Sequence, residues 1–470
     1  MLKETIYNHS PIFFQNIMTS MYGLQLNWQR YGGNNSRYTE ELEQSEFANE
    51  QYLLDLQKKE LLKLLRHAYL TTDYYKDLFN KIDLKPDDIK TLQDLNQIPI
   101  LTKQDIKENT RAFLSKIFTE RQFSKIFTSG TTGTPLTVFY NRDARRKNYA
   151  FFNRTRKWRN TKIGDKRVTL YGRSLIPPNQ KGPPFWRYDV SENNYLFSSY
   201  HMTPVNLPHY YKEIKKIQPV EIRGYPSSLH TLALYMRENQ LSGIRPKAIF
   251  TTAETLFDSV RKAIESAFCC EVTDTYGCTE MGFYITQCEY GTYHTHPEYG
   301  IVEALGSNGT PVTEQPGELV CTSFINYAMP LIRYKVGDTI TLHNKKCSCK
   351  RNFPAVSQIL GRTDDIIITP EGRPVGRLDP IFKGGLGIRE AQIIQTDIDE
   401  IVFKIVKTNS YTEADRDFLY EQLYNRIGPS MKIRFEFVPE IEKDKNGKFR
   451  AVVSLLDHNK ESSNSPYTGN

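Results

Sequence analysis

From Tyr52 to Tyr69, leucines recur at positions 53, 56, 61, 64 and 65 with charged residues between them, a spacing that predicts an amphipathic, core-facing helix. Thr102-Lys103-Gln104-Asp105 has the form of a capping box and predicts a helix running toward Leu114. Residues 1–45 mix polar and aromatic positions without a clear period, so irregular chain or short helices lying on the main body are expected there. Ile126-Phe127 and Leu136 to Tyr140 alternate well enough to predict strands on either side of a Gly/Thr turn.

Between about Val168 and Thr273 short apolar runs alternate with helical patterns. Val168 to Gly172, Glu221 to Tyr225, Ala248 to Thr252 and Glu271 to Thr275 read as strands, and Pro226 to Asn239 and Leu256 to Phe268 as helices. That alternation argues for layered α/β sheets with largely parallel strands. Beyond Gly282 strands and turns continue to about Arg362, a β-rich subdomain. The remainder predicts a small α+β domain, with a helix from Glu413 to Arg426 and strands near 401–406, 432–438 and 450–455. The expected organisation is α/β: a large N-terminal domain over 1–362, a small mobile domain over 363–458, and a disordered tail over 459–470.

The chain has 470 residues, 39% hydrophobic and 25% charged, which suits a soluble globular protein of two domains. A formal net charge of +8 is mild at this length and excludes the dense basic face of a nucleic-acid binder. No run is long enough for a membrane span, and the start Met1-Leu2-Lys3-Glu4 lacks the basic n-region of a signal peptide. The expected location is therefore the cytoplasm, where seven cysteines serve packing or metal rather than disulfides. One basic stretch, from Arg145 through Arg154, Arg156 and Arg159 to Arg167, is expected to form a solvated helix face, the alternative being a site for a substrate phosphate such as that of CoA or a sugar nucleotide.

Several short stretches carry chemistry. Thr128-Ser129-Gly130-Thr131-Thr132-Gly133-Thr134 offers hydroxyls and unhindered backbone N–H groups, a cradle for a polyphosphate. It differs from the GxxxxGK[ST] loop, because no Lys-Ser/Thr pair follows the second glycine. Tyr276-Gly277-Cys278-Thr279-Glu280 combines an aromatic face, a glycine, a hydroxyl and a carboxylate able to hold Mg²⁺ beside phosphates. Tyr334-Lys335-Val336-Gly337-Asp338 places a carboxylate after a tight glycine, where it can accept both hydroxyls of a ribose. Gly361-Arg362-Thr363-Asp364 and Lys445-Asn446-Gly447-Lys448 are, by themselves, a polar junction and an Asn-Gly turn.

In this order the five stretches resemble the motifs of acyl-adenylate-forming enzymes. Leu136 stands where that superfamily usually has a lysine, which points to the branch similar to phenylacetate–CoA ligases, including relatives in capsular and surface-polysaccharide gene clusters. Ile98 to Lys103, Thr252 to Leu256, Pro330 to Tyr334 and Gln392 to Gln395 resemble that branch specifically. The resemblance implies ATP and Mg²⁺ as cofactors. Residues 128–134 would hold the phosphates, Tyr276 and Gly277 the adenine, Thr279 the α-phosphate and Glu280 the magnesium. Asp338 and Arg362 would take the ribose, Asp364 would be the hinge, and Lys448 the mobile catalytic lysine that neutralises charge as a carboxylate attacks the α-phosphate.

Cys288, His294, Cys347 and Cys349 form a second constellation, a complete tetrahedral donor set for structural Zn²⁺, with His296 and Cys278 as rival ligands. In the branch resembled, cysteine and histidine at these places often hold zinc. His201, Arg223 and Tyr225 could line an acid pocket or belong to a packed aromatic core, and stand outside the assigned site. The expected reaction is AMP-forming activation of a carboxylic acid, followed by transfer to a thiol such as CoA. An amine acceptor, giving an amide in surface-polysaccharide synthesis, is the alternative. A non-catalytic nucleotide-binding protein of the same fold is the rival of another class, and a homodimer is an open expectation.

Overall fold

The computed structural model describes residues 2–127, 136–172, 175–177, 180–362, 367–370, 374–375, 378, 387–428, 430–442 and 449–456. Chain contacts divide it into two compact units, Met1–Ile359 and Leu360–Asp444, the second of which includes the strand Val452–Ser454. The architecture is the mixed α/β one expected, and each unit builds its own core.

In the first unit, twelve strands among the described residues form one sheet. Its parallel half runs, side by side, through Asn194–Ser198, Arg167–Tyr171, Glu221–Gly224, Ala248–Thr252 and Val272–Gly277. Helices Leu207–Ile217, Pro226–Glu238 and Asp258–Phe268 supply Tyr210, Leu229, Leu232 and Phe268 to the core on one side of it. Parallel strands need such crossovers, which is why the sequence alternates its two periods here. Past Val272–Gly277 the sheet turns antiparallel through Tyr284–Gln287 and Tyr293–Thr295 and continues through Ala355–Arg362 to Tyr334–His343, Gly317–Ser323 and Gly300–Leu305. The helix Glu50–Thr71 buries Leu53, Leu61, Leu64 and Leu65, the face that the leucine spacing predicts.

Thr102 caps the next helix reciprocally with Asp105, but this helix ends at Glu108, because Asn109 caps a separate turn over Thr110–Phe113. Ser124–Phe127 pairs antiparallel with Thr137–Tyr140, so the hairpin arms around the predicted phosphate loop are present.

The N-terminal residues take the helical form of the two expected, as Leu2–His9, Ile12–Tyr31 and Asn35–Ser45, the second longer than expected at twenty residues. Its period is hidden because polar and small residues, Gln15, Thr19 and Gly23, make its buried face. The basic stretch is a solvated face only in part, at Lys157, Lys162 and Lys166. Arg154, Arg156 and Arg167 are 2%, 2% and 5% exposed. Arg154 pairs with Glu298 at 2.7 Å, Arg156 with Glu221 at 3.3 Å, and Arg167 with Glu221 at 2.9 Å. Their partners lie far along the chain, so local charge counting could not find them.

In the second unit, four strands in the order Lys432–Phe437, Glu400–Lys407, Ile388–Asp397, Val452–Ser454 carry the helix Glu413–Ile427. Thr412 and Asp415 close a capping box at its start, and Leu419 and Leu423 meet Ile393 and Phe403 in the core. No helix among the described residues is long and apolar enough to cross a membrane.

Candidate active site

Val272–Gly277 is the last parallel strand, and its carboxyl end is where open α/β sheets bind ligands. A turn follows, closed by the Met281 N–H donating to the Cys278 carbonyl at 3.1 Å. Met281 takes the left-handed backbone at φ 57°, and Ser323 Oγ donates to its carbonyl at 2.5 Å. This turn carries Thr279, half-buried, and directs Glu280 inward to 6% exposure. There the Tyr334 hydroxyl donates to Glu280 Oε1 at 3.0 Å.

Tyr276 donates its hydroxyl to Asp338 Oδ2, and its ring lies 4.9 Å from that of Phe283. Gly337, just before Asp338, has φ +91°, a conformation that excludes most side chains. Burial first and Asp338 second push the Tyr276 phenol well above its usual range, so it stays a donor to the carboxylate. Burial and then Glu280 push Tyr334 in the same direction. Two motifs distant in sequence thus meet through tyrosine–carboxylate pairs.

The strand that carries Tyr334 and Asp338 is anchored from far upstream. Leu101 forms a parallel bridge with Tyr334, its N–H donating to the Arg333 carbonyl at 2.9 Å and its carbonyl accepting from the Lys335 N–H at 2.8 Å. Arg333, 4% exposed with φ 48°, donates to the carbonyls of Asn96 and Ile98 and pairs with Glu303 at 3.0 Å. The segments Ile98 to Lys103 and Pro330 to Tyr334, singled out separately in the sequence, form one clamp.

A small pocket opens at the carboxyl ends of the parallel strands. Tyr171, Arg223, Phe250, Thr252, Thr275 and Tyr284 line it, and the helix Arg142–Trp158 closes one side. The Arg223 guanidinium pairs with the buried Glu221 and stands 5.0 Å from the Phe250 ring centre. Tyr225 packs tilted against Tyr171 at 5.0 Å instead, His201 packs on Phe185, and neither lines this pocket. The signal for Arg223 was its place at a strand end; sequence alone could not tell which strand-end residues face an opening.

Asp274, on the same strand as Tyr276, accepts from Thr251 Oγ1 at 2.5 Å and from the Tyr293 hydroxyl at 2.7 Å. Burial outweighs these bonds and pushes its carboxyl up to about 6.

The structure brings Cys288, His294, Cys347 and Cys349 together, with their donor atoms within 4.8 Å of one another. Cys288 Sγ lies 3.6 Å from Cys347 Sγ, and Cys349 Sγ lies 3.4 Å from His294 Nε2. Ligands at about 2.3 Å (sulfur) and 2.0 Å (nitrogen) from a tetrahedral Zn²⁺ stand at such separations. His294 Nδ1 lies 3.1 Å from the Phe353 carbonyl, a bond that fixes the ring with Nε2 toward the thiols. Hydrogen bonding within the pair lowers the Cys349 thiol and raises that of Cys288. His296 is separate: it contacts Arg154 and stacks on Trp158 at 5.6 Å. Cys278 lies near Cys321 and Gly282, away from the four.

Thr128, Ser129, Gly130, Thr131, Thr132, Gly133, Thr134, Asp364 and Lys448 lie outside the described residues. Arg362 ends the strand Ala355–Arg362.

Residues 367–455 match the family described as CapK C-terminal domain. Protein CapK of Staphylococcus aureus is 31% identical over 460 residues, covering 96% of this chain and 99% of that protein. Phenylacetate-coenzyme A ligase of Thermus thermophilus is 24% identical over 438 residues, covering 85% and 96%. Among solved structures, 2-hydroxyisobutyryl-CoA ligase in the postadenylation state, in complex with R3-HIB-AMP, superposes with a TM-score of 0.70 at 18% identity, covering 87% of this chain and 91% of that one.

Proposed function

Because the chain belongs to the phenylacetate–CoA ligase-like branch of the acyl-adenylate-forming enzymes, we propose that it activates a carboxylic acid with ATP·Mg²⁺ and passes the acyl group to the thiol of CoA. The observation that carries this reading is the meeting of Tyr276, Glu280 and Asp338 at the carboxyl end of the parallel sheet. Glu280 Oε2 has no partner among the described residues and would ligate Mg²⁺. Asp338 would accept from the ribose, and Tyr276 would flank the base. The acid would enter the pocket lined by Arg223, Thr252 and Thr275.

Attack of the acid's carboxylate oxygen on the α-phosphorus forms the acyl-phosphate bond and breaks the bond to pyrophosphate, the leaving group whose charge Mg²⁺ held by Glu280 would help to neutralise. Lys448 would offset the charge that develops. Attack of the CoA thiolate on the acyl carbon then releases AMP, after the small domain has pivoted at Asp364. Cys288, His294, Cys347 and Cys349 would hold a structural zinc, since four protein donors leave no open position for chemistry.

Pyrophosphate–ATP exchange across aryl acids, hydroxy acids, amino acids and uronic acids, with and without CoA, tests the proposal. Exchange with one acid class, and AMP release that rises with CoA, is the expected result. AMP release that rises with an amine instead would replace the thioester product by an amide. Nucleotide binding without exchange for any acid would sink the catalytic reading.

A further inference from the structure

The helix Ile12–Tyr31 is built inside out. Its buried face is polar and meets the edge strand Trp186–Asp189 and the turn after it. Gln15 Oε1 accepts from Arg187 Nε at 2.6 Å, and Asn16 Oδ1 accepts from the Tyr188 N–H at 3.0 Å. Ser20 Oγ accepts from the Val190 N–H at 3.1 Å, and Asn27 donates to the Ser191 carbonyl at 3.1 Å. Arg30 pairs with Glu192 at 2.7 Å. Gly23 is required for this approach, because a Cβ there would overlap the Asp189 carboxylate. The helix therefore covers the sheet edge with hydrogen bonds and turns its apolar side outward.

That outer side is extensive. Phe13, Phe14, Met21, Leu24 and Trp28 are 69%, 55%, 65%, 59% and 55% exposed, with Ile17 and Tyr22 beside them. From Ile12 to Gln29 the helix contains no charged residue. Large side chains carry about 150–250 Å² each, so the face offers on the order of 1,000 Å². This exceeds the roughly 300–600 Å² largest patch of ordinary monomers. It also meets the roughly 800 Å² per partner of a standard interface.

We propose that this face pairs with the same face of a second copy of the chain, as an antiparallel helix pair with its twofold axis at Met21. Residues 14, 17, 21, 24 and 28 follow the three–four spacing of a helix-packing seam. Reversing that row about Met21 sets Phe14 against Trp28 of the other copy and Leu24 against Met18, with Ile17 beside Gln25, so the seam stays largely apolar against itself. An isologous contact requires this self-complementarity. The composition is aromatic and aliphatic, with Arg142 over the Trp28 ring at one end, and aromatic residues and arginine are the types enriched at interfaces. A helix lying on lipid would place Lys and Arg along its polar face, whereas here that face is uncharged up to Arg30 and bonded to the sheet edge.

Sedimentation velocity of the full chain at micromolar concentration should give twice the mass of one chain. Met21→Lys and Leu24→Glu should each return it to a monomer, with the far-ultraviolet circular dichroism and the thermal midpoint retained. In a background where Cys269 and Cys270, the exposed and half-exposed free thiols, are serine, Met21→Cys should cross-link copies under diamide while the background alone does not. A monomeric wild type, or a dimer that survives both charged variants, overturns the proposal. So does flotation of a monomeric wild type with phosphatidylcholine–phosphatidylglycerol vesicles, which would assign the face to lipid.

Discussion

The cluster of Cys288, His294, Cys347 and Cys349 and the group of Tyr276, Glu280 and Asp338 lie on one sheet yet are built on opposite principles. The first is closed. Its four donors face one another, and the Phe353 carbonyl orients the histidine from behind. In the second, Asp338 and Glu280 each accept from a tyrosine hydroxyl. Donors that satisfy one another hold a fold together, whereas an acid set at the carboxyl end of a parallel sheet is placed to hold a ligand. Losses at the first group should therefore appear as stability, and losses at the second as turnover.

The largest expected effect is on turnover. Glu280→Gln keeps the acceptor for Tyr334 but removes the charge, so pyrophosphate exchange should fall by about 10²–10³, the scale of one lost electrostatic contact. The thermal midpoint should stay within about 2 °C. An unchanged exchange rate would remove Glu280 from the site.

Next is the closed cluster. Cys349→Ser should lower the zinc content measured by plasma mass spectrometry and destabilise the first unit by about 3 kcal/mol, the range for loss of a metal ligand or buried contact. Full stability after the metal is stripped would break the comparison.

Glu221 is a third case, closed by ions rather than thiols. Burial alone would raise its carboxyl, but Arg223, Arg156 and Arg167 outweigh that and hold it down at about 2. Because its folded value is depressed, its contribution is present above the unfolded value near 4.3 and is lost as pH falls toward about 2. Glu221→Gln should cost about 3–5 kcal/mol in denaturant melts at neutral pH, since the buried Arg156 and Arg167 and the half-buried Arg223 lose their shared acid.

The smallest effect concerns Asp274, which joins the two regions through Tyr293. With its folded value raised to about 6, its favourable contribution is complete below the unfolded value near 3.9 and is lost as pH rises through about 6. Asp274→Asn should flatten the dependence of stability on pH between about 4 and 6 and add about 1–2 kcal/mol at pH 7. A melt profile that keeps its slope would show that the carboxyl is not strained.

Where chemistry is carried by residues close in sequence, the chain was legible. The strand–helix alternation from Val168, the leucine helix at Glu50–Thr71 and the capping box at Thr102 each follow from local spacing. That Cys288, His294, Cys347 and Cys349 lie together was suggested by the family resemblance, whereas their spacing alone could not separate them from His296 and Cys278. What sequence could not supply was the partner at long range. Arg156 looked solvated because Glu221 is on a strand far along the chain, and the length of Ile12–Tyr31 was hidden because its polar residues bond to an edge strand just as distant in sequence. The same holds for Arg223, whose outlook onto a pocket depends on four strands and a helix being in place.

The bridge between Leu101 and Tyr334 also has a consequence for synthesis on the ribosome. More than two hundred residues separate its halves, so the nascent chain carries Ile98 and Leu101 without their partner strand until most of the first unit has emerged. Until then this apolar segment is exposed to the cell, and the strand end that will carry Asp338 does not exist. A chain stopped before Tyr334 can complete the parallel sheet but cannot close the clamp, which makes it a natural client for chaperones rather than a partial enzyme.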